Sequence, residues 1–140
     1  MKDQNCAYCM EGELVAAFGI KICELESSKV YLFKGQSHPG RVIVAHKKHV
    51  SEITEWTPEE RASYMEDINK VACAMHEIFN PDKVNYGAYG DTEHHLHFHL
   101  VPNTRWIWMG GVFAMNPGIK TLSEEAYQEM VEKYREVLSK

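Results

Sequence analysis

Alternating and periodic apolar residues divide the chain into strands and helices. Residues 94–102 read HHLHFHLVP, in which single apolar residues separate His95, His97 and His99. Side chains of a strand point alternately to its two faces, so this spacing predicts a strand with three imidazoles on one face. Leu96, Phe98 and Leu100 would fill the other face. Other short apolar runs predict strands within residues 12–34, 42–45 and 83–89, and a further short strand at 112–115.

Two stretches show helical periodicity instead. Thr57, Pro58 and Glu60 form the start signal of a long helix, with an N-cap, a proline at the first helical position and a capping box. Apolar residues then recur every three or four positions as far as Asn80, and a second amphipathic helix follows Ser123. The elements together predict an α+β fold: a mainly antiparallel five-stranded sheet, one long packed helix and a C-terminal helix.

Composition limits the kind of protein without identifying it. The chain has 140 residues, enough for one domain with a real core, and its net charge is −5. An acidic chain offers no basic field for nucleic acid or for anionic membranes. Without a membrane-length apolar run or a signal-like N-terminus, the expected location is the cytoplasm, where the 4 cysteines stay reduced.

The N-terminal Cys6-Ala7-Tyr8-Cys9 is a C-x-x-C pair that suits a metal better than a disulfide in that compartment. Structural zinc requires four Cys or His ligands in a closed tetrahedron. The segment HKKH at 46–49 and the histidine strand are the two candidate sources of the missing ligands. Cys23 and Cys73 are predicted to be small buried thiols instead.

Three motifs together resemble the histidine-triad (HIT) superfamily. They are the C-x-x-C at the start, the K-x-H that ends at His49, and the H-φ-H-φ-H-φ-φ run (φ apolar) that begins at His95. The resemblance covers about Cys6 to Pro102 and is strongest to bacterial zinc-bearing members. It implies one HIT-like domain over residues 1–140, with 103–140 as a C-terminal extension that contains a helix.

The resemblance also implies a metal and its ligands. Carried to this sequence, the ligands of a zinc ion are Cys6, Cys9, His49 and His95. Two thiolates and two imidazoles close the coordination shell, so the implied zinc is structural.

A reaction follows from the same resemblance. His97 would attack the α-phosphorus of a nucleotide to give a nucleotidyl-histidine intermediate, and His99 would contact phosphate oxygens or the leaving group. The expected substrates are nucleoside phosphoramidates or dinucleoside polyphosphates, and a homodimer is expected. Asn85, Thr92 and Arg41 complete the candidate substrate contacts, together with backbone N–H groups of the turn at 87–92.

The sequence departs from the family pattern in places that concern the substrate. Arg41 stands where many relatives have a fourth histidine, and it can pair with a phosphate oxygen or a carboxylate but cannot accept a proton. The preceding segment YLFKGQSHPG lacks the acidic residue that holds ribose hydroxyls in many relatives. Trp106 and Trp108 can stack on a base, or belong to a core or a dimer interface.

Two other interpretations stay open at this point. One is a non-catalytic nucleotide-binding or regulatory module with a structural zinc, which suits the departures at Arg41 and in YLFKGQSHPG. The other is a catalytic zinc held by His95, His97 and His99, which would leave the two N-terminal cysteines and His49 without a purpose.

Overall fold

Five strands form one antiparallel sheet in the order β1-β2-β3-β5-β4. A computed structural model describes residues 4–90, 94–103 and 120–140 of the chain. The strands and helices confirm the predicted α+β architecture. The strands are β1 (Gly19–Glu24), β2 (Ser28–Phe33), β3 (Val42–His46), β4 (Lys83–Gly87) and β5 (His97–Asn103); the helices are α1 (Ala7–Met10), α2 (Gly12–Ala16), a 3-10 turn (Ile53–Glu55), α3 (Pro58–Phe79) and α4 (Glu124–Leu138).

The two faces of the sheet bury different parts of the chain. Strand β5 lies between β3 and β4, with Ala45 opposite His97 and Ile43 opposite His99. Cross-strand partners share a face, so these two histidines lie on the face that carries Ile43 and Ala45. The N-terminal residues pack on that face: Cys6, Ala7, Tyr8, Cys9 and Val15 join Tyr31, Ile43 and Ala45 in one buried cluster.

The opposite face of the sheet packs on the two long helices. Helix α3 begins with the predicted capping box, in which the Thr57 side chain accepts from the backbone N–H of Glu60. Farther along α3, the buried Tyr64 hydroxyl donates to the carbonyl of Val44 at 2.6 Å. The larger core follows from this packing and includes Val30, Leu32, Val42, Val44, Leu100, Ile68, Val71, Met75, Val131 and Tyr134.

Helix α4 ties the end of the chain to the loop between β2 and β3. The Ser123 side chain caps its N-terminus, as predicted. Tyr127 donates to the carbonyl of Lys34 at 2.7 Å, and Tyr134 donates to the carbonyl of Gly40 at 2.6 Å. The helix therefore fixes the backbone just before β3. The division into one domain with an extension from residue 103 stays a prediction.

The structure differs from the sequence-based assignment at several points. Residues 12–16 are helical rather than extended, and the short helix α1 was not predicted. Cys73 on α3 is exposed, so the prediction of a buried thiol is wrong there, and Cys23 is only partly buried. The short strand suggested by the sequence at 112–115 lies outside the described residues. Within the described ranges, no helix has both the length and the apolar character needed to cross a membrane.

The backbone conformation of Gly40 and the nearby Phe79 ring both favour glycine at this position, so alanine there should destabilise the fold. Its φ is +99°, and a Cβ would lie 2.6 Å from Cε2 of Phe79. We expect Gly40→Ala to lower the free energy of unfolding by about 1–3 kcal/mol, measured by urea denaturation. Gly12→Ala is the matched control, because Gly12 also has a positive φ of +58° but no atom within 4 Å of its Cβ position. Equal losses in the two variants would contradict the steric explanation.

Candidate active site and metal centre

The end of the sheet near His97 and His99 carries a pocket of about 360 Å³. Three aromatic rings, one guanidinium and two imidazoles form most of its wall. The lining residues are Tyr8, Phe18, Phe33, Arg41, Ile43, His97 and His99. Apolar walls with a few convergent polar groups are typical of small-molecule sites. A second cavity of about 310 Å³ is also lined by His97, together with Ala88, Tyr89 and Gly90.

His97 is held by its backbone so that one ring nitrogen stays reactive. Its Nδ1 lies 2.8 Å from the carbonyl oxygen of His95. A carbonyl only accepts, so Nδ1 carries the proton and Nε2 carries a lone pair. The ring packs against Tyr8, with ring centroids 5.0 Å apart. This tautomer is the one that a nucleophilic imidazole needs.

His99 has the opposite arrangement. Arg41 lies with Nε 3.2 Å and Nη2 3.0 Å from Nδ1 of His99. A guanidinium only donates, so Nδ1 of His99 accepts and its proton is on Nε2. The Phe33 ring lies beneath the guanidinium, 4.4 Å from Cζ of Arg41. The structure thus places Arg41 against His99, a partner that the sequence analysis did not consider.

Four predicted metal ligands converge beside the triad. The ligand atoms of Cys6, Cys9, His49 and His95 all lie within 4.8 Å of one another. Nδ1 of His95 is 3.3 Å from Sγ of Cys6 and 3.4 Å from Sγ of Cys9, and Nδ1 of His49 is 3.2 Å from Sγ of Cys9. Zn–S and Zn–N bonds of about 2.3 and 2.0 Å place tetrahedral ligand atoms roughly 3.3–3.8 Å apart. The cluster therefore has nearly the spacing of a tetrahedral metal site.

The protonation chemistry of the cluster also fits a cation. Nε2 of His95 is hydrogen-bonded to the carbonyl of His46, which leaves the Nδ1 lone pair facing the thiols. Burial lowers the pKa of His95 to about 4 and raises the pKa of the Cys6 thiol to about 11. A bound cation reverses the effect on the thiol, because a coordinated thiol is deprotonated. The residues can therefore hold a metal ion, and neither His97 nor His99 belongs to the cluster.

His46, the other histidine of HKKH, does not join the cluster. Its ring packs on Trp56 with centroids 4.3 Å apart, and its Nδ1 accepts the backbone N–H of Lys48. Its backbone carbonyl orients His95, as described above. Of the two candidates in that segment, the structure brings only His49 to the thiols.

The remaining predicted substrate contacts are less completely described. Asn85 lies in β4 opposite Val101, on the face that carries the two pocket histidines, but it does not line the aromatic pocket. Thr92 lies outside the described residues, as do Trp106 and Trp108. The substrate roles of Asn85 and Thr92 stay predictions.

Sequence reasoning missed residues that shape the pocket. Tyr8 is one of the two unspecified positions of the C-x-x-C motif, yet its ring contacts both His95 and His97. Gln36 is 1% exposed, and its side chain bridges the backbone of the β2–β3 loop. An aromatic residue between two metal-binding cysteines is a signal that could have revealed Tyr8. The sequence gives no comparable signal for Gln36.

Comparisons with known proteins agree with this geometry. Among curated proteins, the chain is 27% identical over 106 residues to a protein named Protein hit from Bacillus subtilis, covering 71% of each chain. It is 25% identical over 97 residues to a bis(5′-adenosyl)-triphosphatase from Dictyostelium discoideum, covering 66% of this chain and 65% of that protein.

Solved structures share the fold. A histidine triad protein from Marinobacter aquaeolei superimposes with a TM-score of 0.81 at 24% identity, covering 92% of this chain and 95% of the other. A zinc-bound histidine triad family protein from Mycobacterium smegmatis gives a TM-score of 0.71 at 22% identity, covering 96% and 93%. The sequence model of the HIT domain family matches residues 20–105, which is more than half of the chain. This match, with the triad and the pocket in place, shows that the chain belongs to the HIT domain family.

Proposed function

We propose that the protein is a nucleotide-binding hydrolase or transferase that cleaves at a nucleotide α-phosphate through a nucleotidyl-His97 intermediate. The observation that carries the proposal is the hydrogen bond of Nδ1 of His97 to the carbonyl of His95, which leaves Nε2 unprotonated beside an aromatic pocket. Membership of the HIT family and the similarity to a bis(5′-adenosyl)-triphosphatase support this reaction class.

The chemical step uses His97 as the nucleophile, solvent water for proton exchange, and water or another acceptor to release the nucleotide. The Nε2 lone pair of His97 forms a bond to the α-phosphorus, and the bond from phosphorus to the leaving group breaks with its electron pair. A phosphate leaves as its anion, and an amine leaves neutral by taking one proton from solvent water. The imidazole becomes positively charged, and the His95 carbonyl stabilises that charge through Nδ1–H. Water or another acceptor then attacks the same phosphorus, and Nε2 regains its lone pair as the nucleotide leaves. When water is the acceptor, one proton is released to solvent, which balances the proton taken up by a leaving amine.

The pocket suits the remainder of a nucleotide. Tyr8, Phe18 and Phe33 provide apolar ring surfaces for a base. Arg41 and His99 lie where a phosphate on His97 needs positive charge and hydrogen-bond donors, since the His97 and His99 rings are 5.3 Å apart. Asn85 and Thr92 are proposed as further substrate contacts.

We propose that the Cys2His2 cluster binds a structural zinc ion. The support is the near-tetrahedral spacing of its ligand atoms and the zinc-bound family member of the same fold. Four protein ligands leave no open position, so the ion would act by holding the N-terminal residues against β5 rather than by activating water. The interpretation in which His95, His97 and His99 share one catalytic metal gains no support from this arrangement.

The proposed reaction predicts a covalent adduct. Metal-loaded protein mixed with adenosine 5′-phosphoramidate and quenched in acid is expected to gain the mass of one adenylyl group, located on His97 by peptide mass spectrometry. A second portion without quenching should show release of the nucleotide. Dinucleoside polyphosphates and inorganic phosphate, tested in parallel, would identify the leaving group and the acceptor. Adducts on other residues alone would contradict the proposal.

A non-catalytic nucleotide-binding module is the second candidate. The observation in its favour is Arg41, which occupies the place of a titratable histidine and contacts His99. This candidate predicts that nucleotides bind, as measured by calorimetry, while neither adduct nor turnover forms on folded, metal-loaded protein.

We further propose that the protein is a cytoplasmic homodimer. The support for a dimer is an edge strand, β4, whose Tyr86 is 53% exposed, beside helix α3 with Met65 at 54%. Exposed apolar groups on an edge strand favour pairing with another chain. Sedimentation velocity of the wild type and of Tyr86→Lys tests this pairing; a wild-type monomer at micromolar concentration would contradict it.

A further inference from the structure

The contact between Arg41 and His99 determines what His99 can do chemically. Two of the three guanidinium nitrogens, Nε and Nη2, approach the same acceptor, Nδ1, at 3.2 and 3.0 Å. An imidazole that accepts a hydrogen bond at Nδ1 cannot also be protonated there. His99 therefore cannot take up a proton at Nδ1 while it releases the proton of Nε2. His99 can donate a hydrogen bond from Nε2, but it cannot give that proton away without becoming an imidazolate.

We propose that Arg41 is a positioning residue that fixes His99 as a neutral Nε2–H donor to a phosphate oxygen, and that His99 is therefore not the general acid for the leaving group. This inference rests on the proposed function only for the identity of the ligand. It assigns a role to the arginine at the fourth-histidine position and limits the role of the third triad histidine.

The position of Arg41 is fixed by its surroundings. The Gln36 side chain donates to the carbonyl of Arg41 at 3.1 Å, and its Oε1 accepts the N–H of Gly40 at 2.8 Å. Tyr134 donates to the Gly40 carbonyl, and the Phe33 ring supports the guanidinium. Arg41 itself is only 8% exposed. A side chain constrained at both ends keeps its donors on His99 without a large loss of entropy on binding.

The charged and titratable neighbours favour the same state. Burial, together with the charges of Arg41 and His97, lowers the pKa of His99 to about 3. Near Arg41 lie His38, whose pKa is lowered by burial and by that guanidinium, and the Tyr89 hydroxyl. A depressed histidine pKa means a neutral ring at every pH above it, so His99 stays neutral between pH 5 and pH 8 while Arg41 stays charged.

The first test reads the tautomer directly and requires no substrate. In metal-loaded protein labelled with ¹⁵N-histidine, long-range ¹H–¹⁵N correlation spectra should show His99 as the pure Nε2–H tautomer from pH 5.5 to 8. Arg41→Lys keeps a charged donor of similar length and should keep that tautomer. Arg41→Met removes the donor and should give a mixture of tautomers and a higher pKa. A wild-type Nδ1–H tautomer, or an Arg41→Met spectrum identical to wild type, would overturn the proposal even if turnover is never found.

The second test separates a donor from a general acid. Arg41→Met should lower kcat by about 10²-fold with little change in KM, because a hydrogen bond to a phosphate oxygen strengthens in the transition state. Arg41→Lys should restore most of the loss. His99→Ala should lower kcat/KM by the same factor for phosphoramidates with good and poor leaving amines. A loss that grows steeply as the leaving amine becomes more basic would identify His99 as a general acid and overturn the second half of the proposal.

Discussion

Replacement of His97 by alanine is expected to abolish adduct formation and to lower turnover by roughly 10⁴–10⁶-fold, as loss of a nucleophile does in other covalent enzymes. The reason is geometric. His97 carries its proton on Nδ1, which leaves a lone pair on Nε2. Both nitrogens of His95 face other groups, the thiols and the His46 carbonyl, while Nδ1 of His99 accepts from Arg41 and its Nε2 carries a proton. Rapid acid quench with intact-mass detection, beside steady-state hydrolysis of adenosine 5′-phosphoramidate, measures both effects.

The matched control is His94→Ala. His94 is an exposed histidine just before the triad, and we expect its replacement to leave turnover within about twofold of wild type. Comparable loss in both variants would point to a general disturbance of β5 rather than to a nucleophile. An adduct that persists in His97→Ala would assign the covalent chemistry to a different residue.

The sequence predicted structural features correctly where the pattern lies within a few consecutive residues. The alternating histidines predicted a strand and the shared face of His97 and His99, because side chains of a strand alternate between its two faces. The prediction that His95 lies in the same strand is wrong, since β5 begins at His97. Thr57 and Glu60 predicted the start of α3 for a similar reason, since a capping box occupies four consecutive residues. The C-x-x-C pair and the family resemblance together predicted a metal cluster whose residues the structure brings together.

The parts that the sequence could not predict depend on contacts between distant residues. Arg41 meets His99 across 58 positions, and that contact depends on the pairing of Ile43 with His99 in neighbouring strands. The short helix α1 has only four residues and little intrinsic stability, so it forms because the sheet and the cluster bury it. Cys73 was misassigned because a helix position near apolar residues can still face solvent.

Loss of one metal ligand is expected to produce the largest change in stability. Sγ of Cys9 lies 3.2 Å from Nδ1 of His49 and 3.4 Å from Nδ1 of His95. Cys9→Ala therefore removes the thiol that lies next to both imidazole ligands. We expect zinc content to fall from one equivalent to near zero, with a loss of at least about 3 kcal/mol in the free energy of unfolding. For a domain of this size that corresponds to a fall in Tm of about 10 °C.

Metal analysis by mass spectrometry and calorimetric unfolding test this expectation. Cys73→Ala is the control, because Cys73 is exposed on α3 and far from the cluster in the chain. It should keep both its zinc and its Tm. Wild-type protein purified with a strong chelator should resemble Cys9→Ala. Full zinc content in Cys9→Ala, or a Tm that is insensitive to chelation, would contradict a structural metal at this cluster.

Tyr8 lies between the proposed metal site and the proposed substrate site, a position that would make binding at the two sites thermodynamically interdependent. It stands in the chain between the two cysteines, and its ring lies 5.5 Å from that of His95 and 5.0 Å from that of His97. A ligand that packs on Tyr8 and a metal that fixes the same segment stabilise one conformation, so each raises the affinity of the other by the same factor. A metal ion that stabilised the fold without such a shared contact would not change substrate affinity in this reciprocal way. If both proposed ligands bind, metal occupancy would influence, through Tyr8, how tightly substrate binds.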